Sequence, residues 1–261
     1  MHRLSGEDAG FLYMDLPGQP MNTMAVGVLA PTDGPPVTLG DLRSHLESRL
    51  PQLPSFRWRV VAVPFRLHHP VAVDDPDFDL DFHLRTERVA APGGPDQVND
   101  LFAGIAERPL DRRHPLWQAT LVDGLEGGRQ AVILKYQHCL ADGVAAFTTF
   151  SRVFSDAPRD PIPGVGPFAP EPLPGRARLV AGALADHARA AARLPRLVAT
   201  TKARTDAVKA HRALATVSVP DFSGEAPWCV LNDAFTPGRA YARAALPLAG
   251  LKHIKDAAGV T

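Results

Sequence analysis

The sequence has only two cysteines, Cys139 and Cys229, among its 261 residues. Two cysteines are too few for a disulfide framework or a paired-cysteine metal knuckle, so we predict a cytoplasmic protein without a metal site. No apolar stretch approaches the roughly 18 residues that cross a bilayer, and the first residues carry charges where a signal peptide is apolar. We therefore expect neither secretion nor a membrane-spanning segment.

Net charge is also missing, because 28 Lys and Arg residues balance 28 Asp and Glu residues. A balanced chain has no overall field that attracts nucleic acid, so no nucleic-acid partner is expected. The chain also lacks a Gly-x-Ser-x-Gly elbow and a Walker loop, which removes sequence support for a serine acyl-enzyme and for phosphate binding. What remains is a 45% apolar composition and a length suited to one large domain or two smaller ones.

Apolar periodicity predicts both strands and helices in the first 160 residues. Alternation predicts strands at residues 23–30, 56–63, 78–84, 117–122 and 130–137, and spacings of three and four predict helices at 38–50 and 96–106. Thr38 is suited to cap the first helix, and Pro51 ends it. Asp and Gly residues between the last two strands predict a hairpin.

Beyond residue 160 the sequence is first rich in proline and then basic. The Ala- and Arg-rich stretch predicts a helical connector that is kinked or divided at Pro195. The connector is interpreted as a solvated helix, with contact to anionic lipid headgroups as the alternative. A strand at 240–246 and a helix at 249–258 are expected next. We predict three segments: an amino-terminal unit, residues 1–160, a connector, residues 161–216, and the first elements of a second unit, residues 217–261.

A candidate site lies at the end of the strand 130–137, in the string Gln137-His138-Cys139-Leu140-Ala141-Asp142-Gly143. A histidine at a strand end is aimed by a rigid element, and a helix starting after it would favour the neutral imidazole that a general base requires. Structural roles explain the other two residues as well as catalysis does, because Asp142 suits a helix N-cap and Gly143 suits a tight turn. The spacing alone therefore leaves catalysis and a structural turn both open.

Two neighbouring features are expected to be structural. Cys139 adjoins the candidate base, but consecutive residues at a strand end face opposite sides, so a buried and inert thiol is expected rather than a nucleophile. The string Pro115-Leu116-Trp117 leads into a strand, and its tryptophan is expected to pack in the core. Neither feature supplies the chemistry by itself.

Two polar clusters are also expected to carry no chemistry. His68 and His69 are adjacent, and no carboxylate or thiol stands at ligand spacing, so solvated or packing histidines are expected. Residues 75–81 contain four carboxylates without the Gly and terminal Glu of a calcium loop, which favours a solvated acidic strand edge.

Several strings along the chain together resemble the bacterial wax ester synthase/diacylglycerol acyltransferase family, which is similar in fold to chloramphenicol acetyltransferase and peptide-synthetase condensation domains. The strings include Leu4-Ser5 with Asp8, Asp75-Pro76-Asp77-Phe78-Asp79-Leu80, Pro109-Leu110-Asp111, Pro115-Leu116-Trp117 and Leu246-Pro247-Leu248. The resemblance implies an α/β fold with a mixed sheet flanked by helices. A helical connector and the start of a second similar domain are expected to follow.

The resemblance also implies an active-site motif His-His-x-x-x-Asp-Gly in which the second histidine is the base. That position is His138 here, with Asp142 and Gly143 as the structural support of the motif. Gln137 replaces the first histidine, which removes a titratable group but keeps donor and acceptor capacity. The support of the base is therefore expected to be altered.

The activity that the resemblance implies is O-acyl transfer from a long-chain acyl-CoA to a fatty alcohol or diacylglycerol. No cofactor is expected, because acyl-CoA is a substrate. Another hydroxyl acceptor, such as a polyketide-derived lipid, is an alternative. A further alternative is a non-catalytic module that binds acyl chains or pairs with a carboxy-terminal half, because the family's second half is expected past Thr261. A second copy of the chain, the inner membrane and lipid bodies remain open as partners.

Overall fold

The computed structural model describes residues 1–31, 33–140, 149, 151–154, 168–214, 227–230, 233 and 236–259. The α-helices within these residues are α1 Gly6–Met14, α2 Leu39–Arg49, α3 Pro95–Glu107, α4 Arg176–Ala213 and α5 Leu248–Ala258. The strands are β1 His2–Arg3, β2 Asn22–Leu29, β3 Trp58–Val61, β4 Val71–Asp74, β5 Leu84–Arg88, β6 Trp117–Leu125 and β7 Arg129–Gln137.

A four-stranded mixed sheet forms the centre of the amino-terminal part, with the strand order β2-β7-β6-β5. Strand β5 runs parallel to β6, and the other two pairs are antiparallel. A smaller antiparallel sheet has the order β1-β4-β3. The predicted α/β fold with a mixed sheet flanked by helices is confirmed.

Strand β7 is buried at every residue after Arg129, because helices cover both faces of the sheet. Alternate residues of β7 point to opposite faces and enter two different hydrophobic clusters. Val132, Leu134 and Tyr136 join the cluster that contains the buried leucines of α1 and α2. Ala131 and Ile133 join the cluster that contains the apolar face of α3, formed by Val98, Phe102 and Ile105.

Lys135 lies in β7 among these apolar residues and is only 1% exposed. Its ammonium group donates hydrogen bonds to the backbone oxygens of Ile105, at 2.7 Å, and of Arg108. These carbonyls lie at the carboxyl end of α3, where helical acceptors lack partners in the helix. Burial lowers the pKa of Lys135 to about 8. Lys135 of strand β7 thus caps the carboxyl end of helix α3.

Local signals set the beginnings of α2 and α3, and Thr38 caps α2 as predicted. The Thr38 side chain accepts a hydrogen bond from the Asp41 backbone N–H at 3.1 Å, and the Asp41 carboxylate accepts from the Thr38 N–H at 2.8 Å. This reciprocal pair is a capping box. Helix α3 begins with Pro95, whose missing N–H is not needed in the first turn.

The predicted β6–β7 hairpin is confirmed, and it brings several chain ends to one edge of the four-stranded sheet. Trp117, the first residue of β6, is paired with Tyr136 near the end of β7. The parallel strand β5 starts at the same edge, with Leu84 opposite Ala119. Residues just before β5 and just after β7 therefore lie at a common edge.

Two predicted strands are shorter than expected. Of residues 56–63 only Trp58–Val61 form a strand, because Pro54 starts a 3-10 turn that includes Phe56. Residues 78–84 form mainly a 3-10 turn, Leu80–His83. The Asp79 side chain caps this turn by accepting from the Asp81 N–H at 3.0 Å. Side-chain capping therefore overrides the apolar alternation.

One prediction for the second half of the chain is wrong, because residues 240–246 form no strand. The connector was expected to be kinked or divided at Pro195. Helix α4 continues through Pro195 without a break, and a kink there stays a prediction. The predicted helix at 249–258 is confirmed as α5, Leu248–Ala258.

Helix α4, the predicted connector, contacts the small sheet only through its first turns. Leu179 packs with Val71 and Val73, and Arg3 forms a 2.9 Å ion pair with Asp186. From His187 to Leu214 every residue is exposed. Among the described residues, no helix combines the length and apolar character needed to span a bilayer. The division into segments 1–160, 161–216 and 217–261 stays a prediction.

Candidate active site

His138 is the first residue after β7 and begins a 3-10 turn, His138–Leu140. Hydrogen bonds to both neighbouring segments fix the backbone here. The Gln137 N–H donates to the Leu116 oxygen at 2.9 Å, and the His138 N–H donates to the Met21 oxygen at 3.0 Å. The predicted place of His138 at a rigid strand end agrees with the structure.

Phe11 of α1 covers one face of the His138 ring, with the ring centroids 3.8 Å apart and the planes 20° from parallel. The His138 side chain is only partly buried, but its Nδ1 atom is enclosed and has no hydrogen-bond partner among the described residues. The exposed part of His138 therefore belongs to atoms other than Nδ1.

Gln137 lies beneath this turn and is 1% exposed. Its Oε1 atom accepts a hydrogen bond from the Cys139 backbone N–H, whereas its Nε2 atom is enclosed without a partner among the described residues. An unpaired buried amide group costs about 1–3 kcal/mol. Gln137 therefore supports the turn through its acceptor, while its donor has no partner in the part of the chain that the structure describes.

Cys139 is buried, as predicted, with 5% of its surface exposed. Burial, reinforced by the nearby negative charge of Asp8, raises the pKa of the Cys139 thiol to about 12. The thiol is therefore neutral at pH 7 and lacks the thiolate form that attacks carbonyl carbons. The other motif residues, Asp142 and Gly143, lie outside the described residues, as does the helix predicted to start after them.

The string Pro115-Leu116-Trp117 packs at the same edge of the sheet, as predicted. Trp117 is 1% exposed, and its indole N–H donates to the Phe56 oxygen at 2.7 Å. Its ring stacks on Phe56 at 4.5 Å. The string thus packs in the core through Trp117 and holds the end of β7 through the Leu116 oxygen, which accepts from the Gln137 N–H.

His83, which the sequence did not single out, stacks on Trp117. Its ring lies 4.4 Å from the Trp117 ring and 6° from parallel. The Nδ1–H group donates to the Trp117 oxygen at 2.9 Å, and burial lowers the pKa of His83 to about 4. His83 is therefore neutral at pH 7. Its position directly before a strand was the only sequence signal.

The acidic string 75–81 is not wholly a solvated edge, which corrects the prediction. Asp75 is 1% exposed, its Oδ1 accepts from the Asp77 N–H at 3.2 Å, and Arg59 lies 3.8 Å away. Asp75 is buried because β3 brings Arg59 beside it. Asp77 and Asp79 are exposed as expected.

His68 and His69 make separate contacts. The hydroxyl of Tyr13 lies 3.0 Å from His69 Nδ1, and the His68 ring lies 4.7 Å from the ring of His187 on α4. No group of three His, Cys, Asp or Glu side chains suited to a metal ion occurs among the described residues. That the protein needs no metal stays a prediction.

Comparisons with known proteins agree with the resemblance. Residues 4–261 match the wax ester synthase/diacylglycerol acyltransferase catalytic domain. A Mycobacterium tuberculosis protein provisionally named diacylglycerol O-acyltransferase is 34% identical over 266 residues, which cover 100% of this chain and 56% of that protein. A probable diacylglycerol O-acyltransferase of the same organism is 37% identical over 186 residues, covering 70% of this chain and 68% of that protein.

A solved structure supports the fold. The wax ester synthase/diacylglycerol acyltransferase from Marinobacter aquaeolei VT8 superposes with a TM-score of 0.60 at 23% identity, covering 99% of this chain and 56% of that one. The present chain thus spans about half the length of that enzyme and of the first M. tuberculosis relative. With the family match along nearly its whole length, the chain belongs to the wax ester synthase/diacylglycerol acyltransferase catalytic domain family.

Proposed function

We propose that this protein is an acyl-CoA-dependent O-acyltransferase in which His138 is the general base. The observation that carries the proposal is the setting of the His138 ring in a member of this family. Backbone hydrogen bonds fix its strand end, Phe11 covers one face, and Nδ1 is enclosed while the side chain as a whole is partly exposed. A rigidly held, partly exposed imidazole suits proton abstraction, and we assign the role of base to its Nε2.

In the proposed reaction, His138 Nε2 takes the proton of an acceptor hydroxyl while the oxygen attacks the thioester carbonyl of a long-chain acyl-CoA. A carbon–oxygen bond forms, the carbon–sulfur bond breaks, and the proton passes from His138 to the leaving CoA sulfur. Positioned general bases contribute about 10²–10⁴-fold to rates. No cofactor enters the scheme, because acyl-CoA is itself a substrate.

Direct transfer to the acceptor is favoured over a covalent acyl-enzyme. The thiol nearest to His138 belongs to Cys139, which is 5% exposed and whose pKa burial raises to about 12. A neutral, enclosed thiol is a poor nucleophile. We assign the roles around the base accordingly: Gln137 holds the turn through the Cys139 N–H, and Asp142 and Gly143 are the structural support of the motif.

The acceptor that we favour is diacylglycerol, with a fatty alcohol next. Support comes from the relatives, two of which bear names as diacylglycerol O-acyltransferases. Both acceptors are lipids, so we place the protein in the cytoplasm with peripheral access to the inner membrane or to lipid bodies. A polyketide-derived hydroxyl is the third acceptor to be tested.

A second candidate function is a half-enzyme module that binds acyl chains and needs a carboxy-terminal half for turnover. The observation that favours it is coverage, since the chain spans 56% of the first M. tuberculosis relative. In this case the residues around His138 are one wall of a site whose other wall is supplied separately. A second copy of the chain is an alternative source of that wall.

The experiment that tests both candidates is a thiol-release assay. The 261-residue chain is incubated with palmitoyl-CoA and either dioleoylglycerol, hexadecanol or a polyketide-derived alcohol, and wild type is compared with His138→Ala. We expect release with at least one acceptor and a loss of about 10²–10⁴-fold in the variant.

Equal release from wild type and His138→Ala would contradict the role of His138 as base. An absence of release from both, reversed by adding a carboxy-terminal half as a separate chain, would favour the half-enzyme module. The ranking of the thiol-release rates with the three acceptors identifies the substrate class.

A further inference from the structure

Helix α1 lies directly against the turn that carries His138. Its first turn is fixed by Ser5, whose hydroxyl accepts from the Asp8 N–H at 3.0 Å. Leu12 belongs to the same hydrophobic cluster as Cys139. The helix is thus anchored on one side, and from this anchored helix Phe11 reaches the face of the imidazole.

The carboxyl end of α1 is tied down by Asp15 and Arg112. The Asp15 Oδ2 atom accepts from an Arg112 guanidinium N–H at 2.9 Å. The same nitrogen lies 3.1 Å from the backbone oxygens of Leu12 and of Asp15. These oxygens lack partners at a helix end, and a cation there is favoured by the helix dipole. Arg112 therefore acts as a clamp on the end of α1.

The other oxygen of Asp15 leads back to the candidate base. Asp15 Oδ1 accepts from the Met21 N–H at 2.9 Å. The Met21 oxygen in turn accepts from the His138 N–H at 3.0 Å. Asp15 therefore reaches His138 by two routes: the backbone of Met21, and the ring of Phe11 one helical turn earlier on α1.

Packing alone gives a weak reason for this arrangement. Phe11 is only partly buried, and the Arg112 side chain is 54% exposed. Exposed ion pairs contribute about 0.2–1 kcal/mol to folding. The contacts instead form one chain from Arg112 through Asp15 and Met21 to His138, and Phe11 joins it by stacking on the imidazole.

We propose that Phe11, Asp15 and Arg112 are positioning residues for His138, which rests on the proposed role of His138 as base. Phe11 fixes the plane of the imidazole, and the Asp15–Arg112 pair fixes the distance between α1 and the residue that holds the His138 backbone. The three residues act through His138 and touch no reacting atom.

The kinetic test compares two neighbouring arginines. Arg112→Gln removes the clamp, whereas Arg113→Gln is the matched control, because Arg113 pairs with Asp111 at 2.7 Å and its side chain is 80% exposed. A misplaced catalytic group loses up to about 100-fold in rate. We expect Arg112→Gln to lower kcat about tenfold with KM unchanged, and Arg113→Gln to match wild type.

The test of Phe11 uses a pair of substitutions. Phe11→Leu removes the aromatic face while keeping an apolar side chain, and we expect kcat to fall about tenfold or more. Phe11→Tyr keeps the face, so we expect kcat to return to within about twofold of wild type. A loss that appears in KM, or a loss that Phe11→Tyr does not restore, would overturn the role of Phe11.

A spectroscopic readout separates this proposal from the proposed function. The ring protons of His138, identified by their loss in His138→Gln, lie under an aromatic face and are shielded in the NMR spectrum. We expect Phe11→Leu to move them downfield and Arg112→Gln to shift them, with no change in Arg113→Gln. Unmoved signals in Phe11→Leu, or identical spectra for the two arginine variants, would overturn the proposal. If the expected shifts occur in a chain that releases no CoA, Phe11 and Arg112 position His138 and only the proposed function is rejected.

Discussion

Two histidines lie at the same edge of the four-stranded sheet and differ in one respect. His83 precedes β5, and His138 follows β7. Each stacks on an aromatic ring, His83 on Trp117 at 4.4 Å and His138 on Phe11 at 3.8 Å. His83 is 1% exposed, whereas His138 is only partly buried. Access from solvent, not the stacking partner, separates the two.

The difference teaches how one edge of a sheet provides both a structural histidine and a candidate base. The Nδ1–H of His83 is committed to the Trp117 oxygen, and its Nε2 is enclosed without a partner among the described residues. No nitrogen of His83 can meet a substrate. His138 also has an enclosed Nδ1, but the residue as a whole is partly exposed, and the proposed base is its Nε2.

The largest effect that sharpens the comparison is expected from His138→Ala. The transfer rate should fall about 10²–10⁴-fold, because a positioned base is lost. The free energy of unfolding should change by less than about 1 kcal/mol, since a partly exposed side chain contributes little packing. Thiol release and urea unfolding measure the two quantities. A variant that lost both activity and stability would show that His138 is a structural histidine like His83.

His83→Ala should show the opposite pattern. Removing an enclosed ring from between Phe78 and Trp117 should lower the free energy of unfolding by about 3–5 kcal/mol. The matched control is His114→Ala, because His114 stacks on Phe82 at 3.7 Å but is only partly buried. Urea unfolding of both variants is the measurement. Equal losses would show that the burial of His83 has no special weight.

The pH dependence of stability should report His83. Its pKa is lowered from 6.5 to about 4, so between these values the unfolded chain binds a proton that the folded chain refuses. The contribution is complete above pH 6.5 and is lost as the pH falls toward 4, by about 3 kcal/mol in all. The free energies of unfolding of wild type and His83→Phe, from urea unfolding between pH 7 and 4, should change relative to each other by this amount, with the loss in the wild type. Parallel curves would contradict the enclosed, neutral state.

The smallest effect is expected from Gln137→His. The substitution restores a second nitrogen-bearing ring beside the base and replaces an amide whose donor is unused among the described residues. We expect the turnover number to rise about threefold, a change below about 1 kcal/mol in barrier. Steady-state thiol release measures the turnover number. Gln130→His is the control, because Gln130 lies away from the site and forms hydrogen bonds with Val37 and Asp123. An unchanged turnover would show that Gln137 supports the base as well as histidine does.

Local signals explain which parts of the fold could be predicted. The capping box at Thr38 and the proline at the start of α3 lie within the helices that they begin. The hairpin follows from two strand-forming segments joined by glycines. The position of His138 could be predicted for the same reason, since it follows the end of the second segment.

Contacts between distant segments explain what could not be predicted. No helix was predicted at Gly6–Met14, where α1 packs against the distant turn at 138–140. The stack of Phe11 on His138 and the burial of Asp75 beside Arg59 likewise depend on residues brought together by the sheets. At residues 240–246 the error had the same origin, because the alternation there found no partner strand.

The β6–β7 turn, Glu126–Gly128, has a practical consequence for experiments on this protein. It lies at the far end of the nine-residue strand β7 from His138, roughly 30 Å away at the rise of an extended strand. Gly127 and Gly128 are exposed. A fluorophore-labelled peptide or an affinity tag inserted between these glycines would report on the protein without entering the site, which suits surface capture and single-molecule observation.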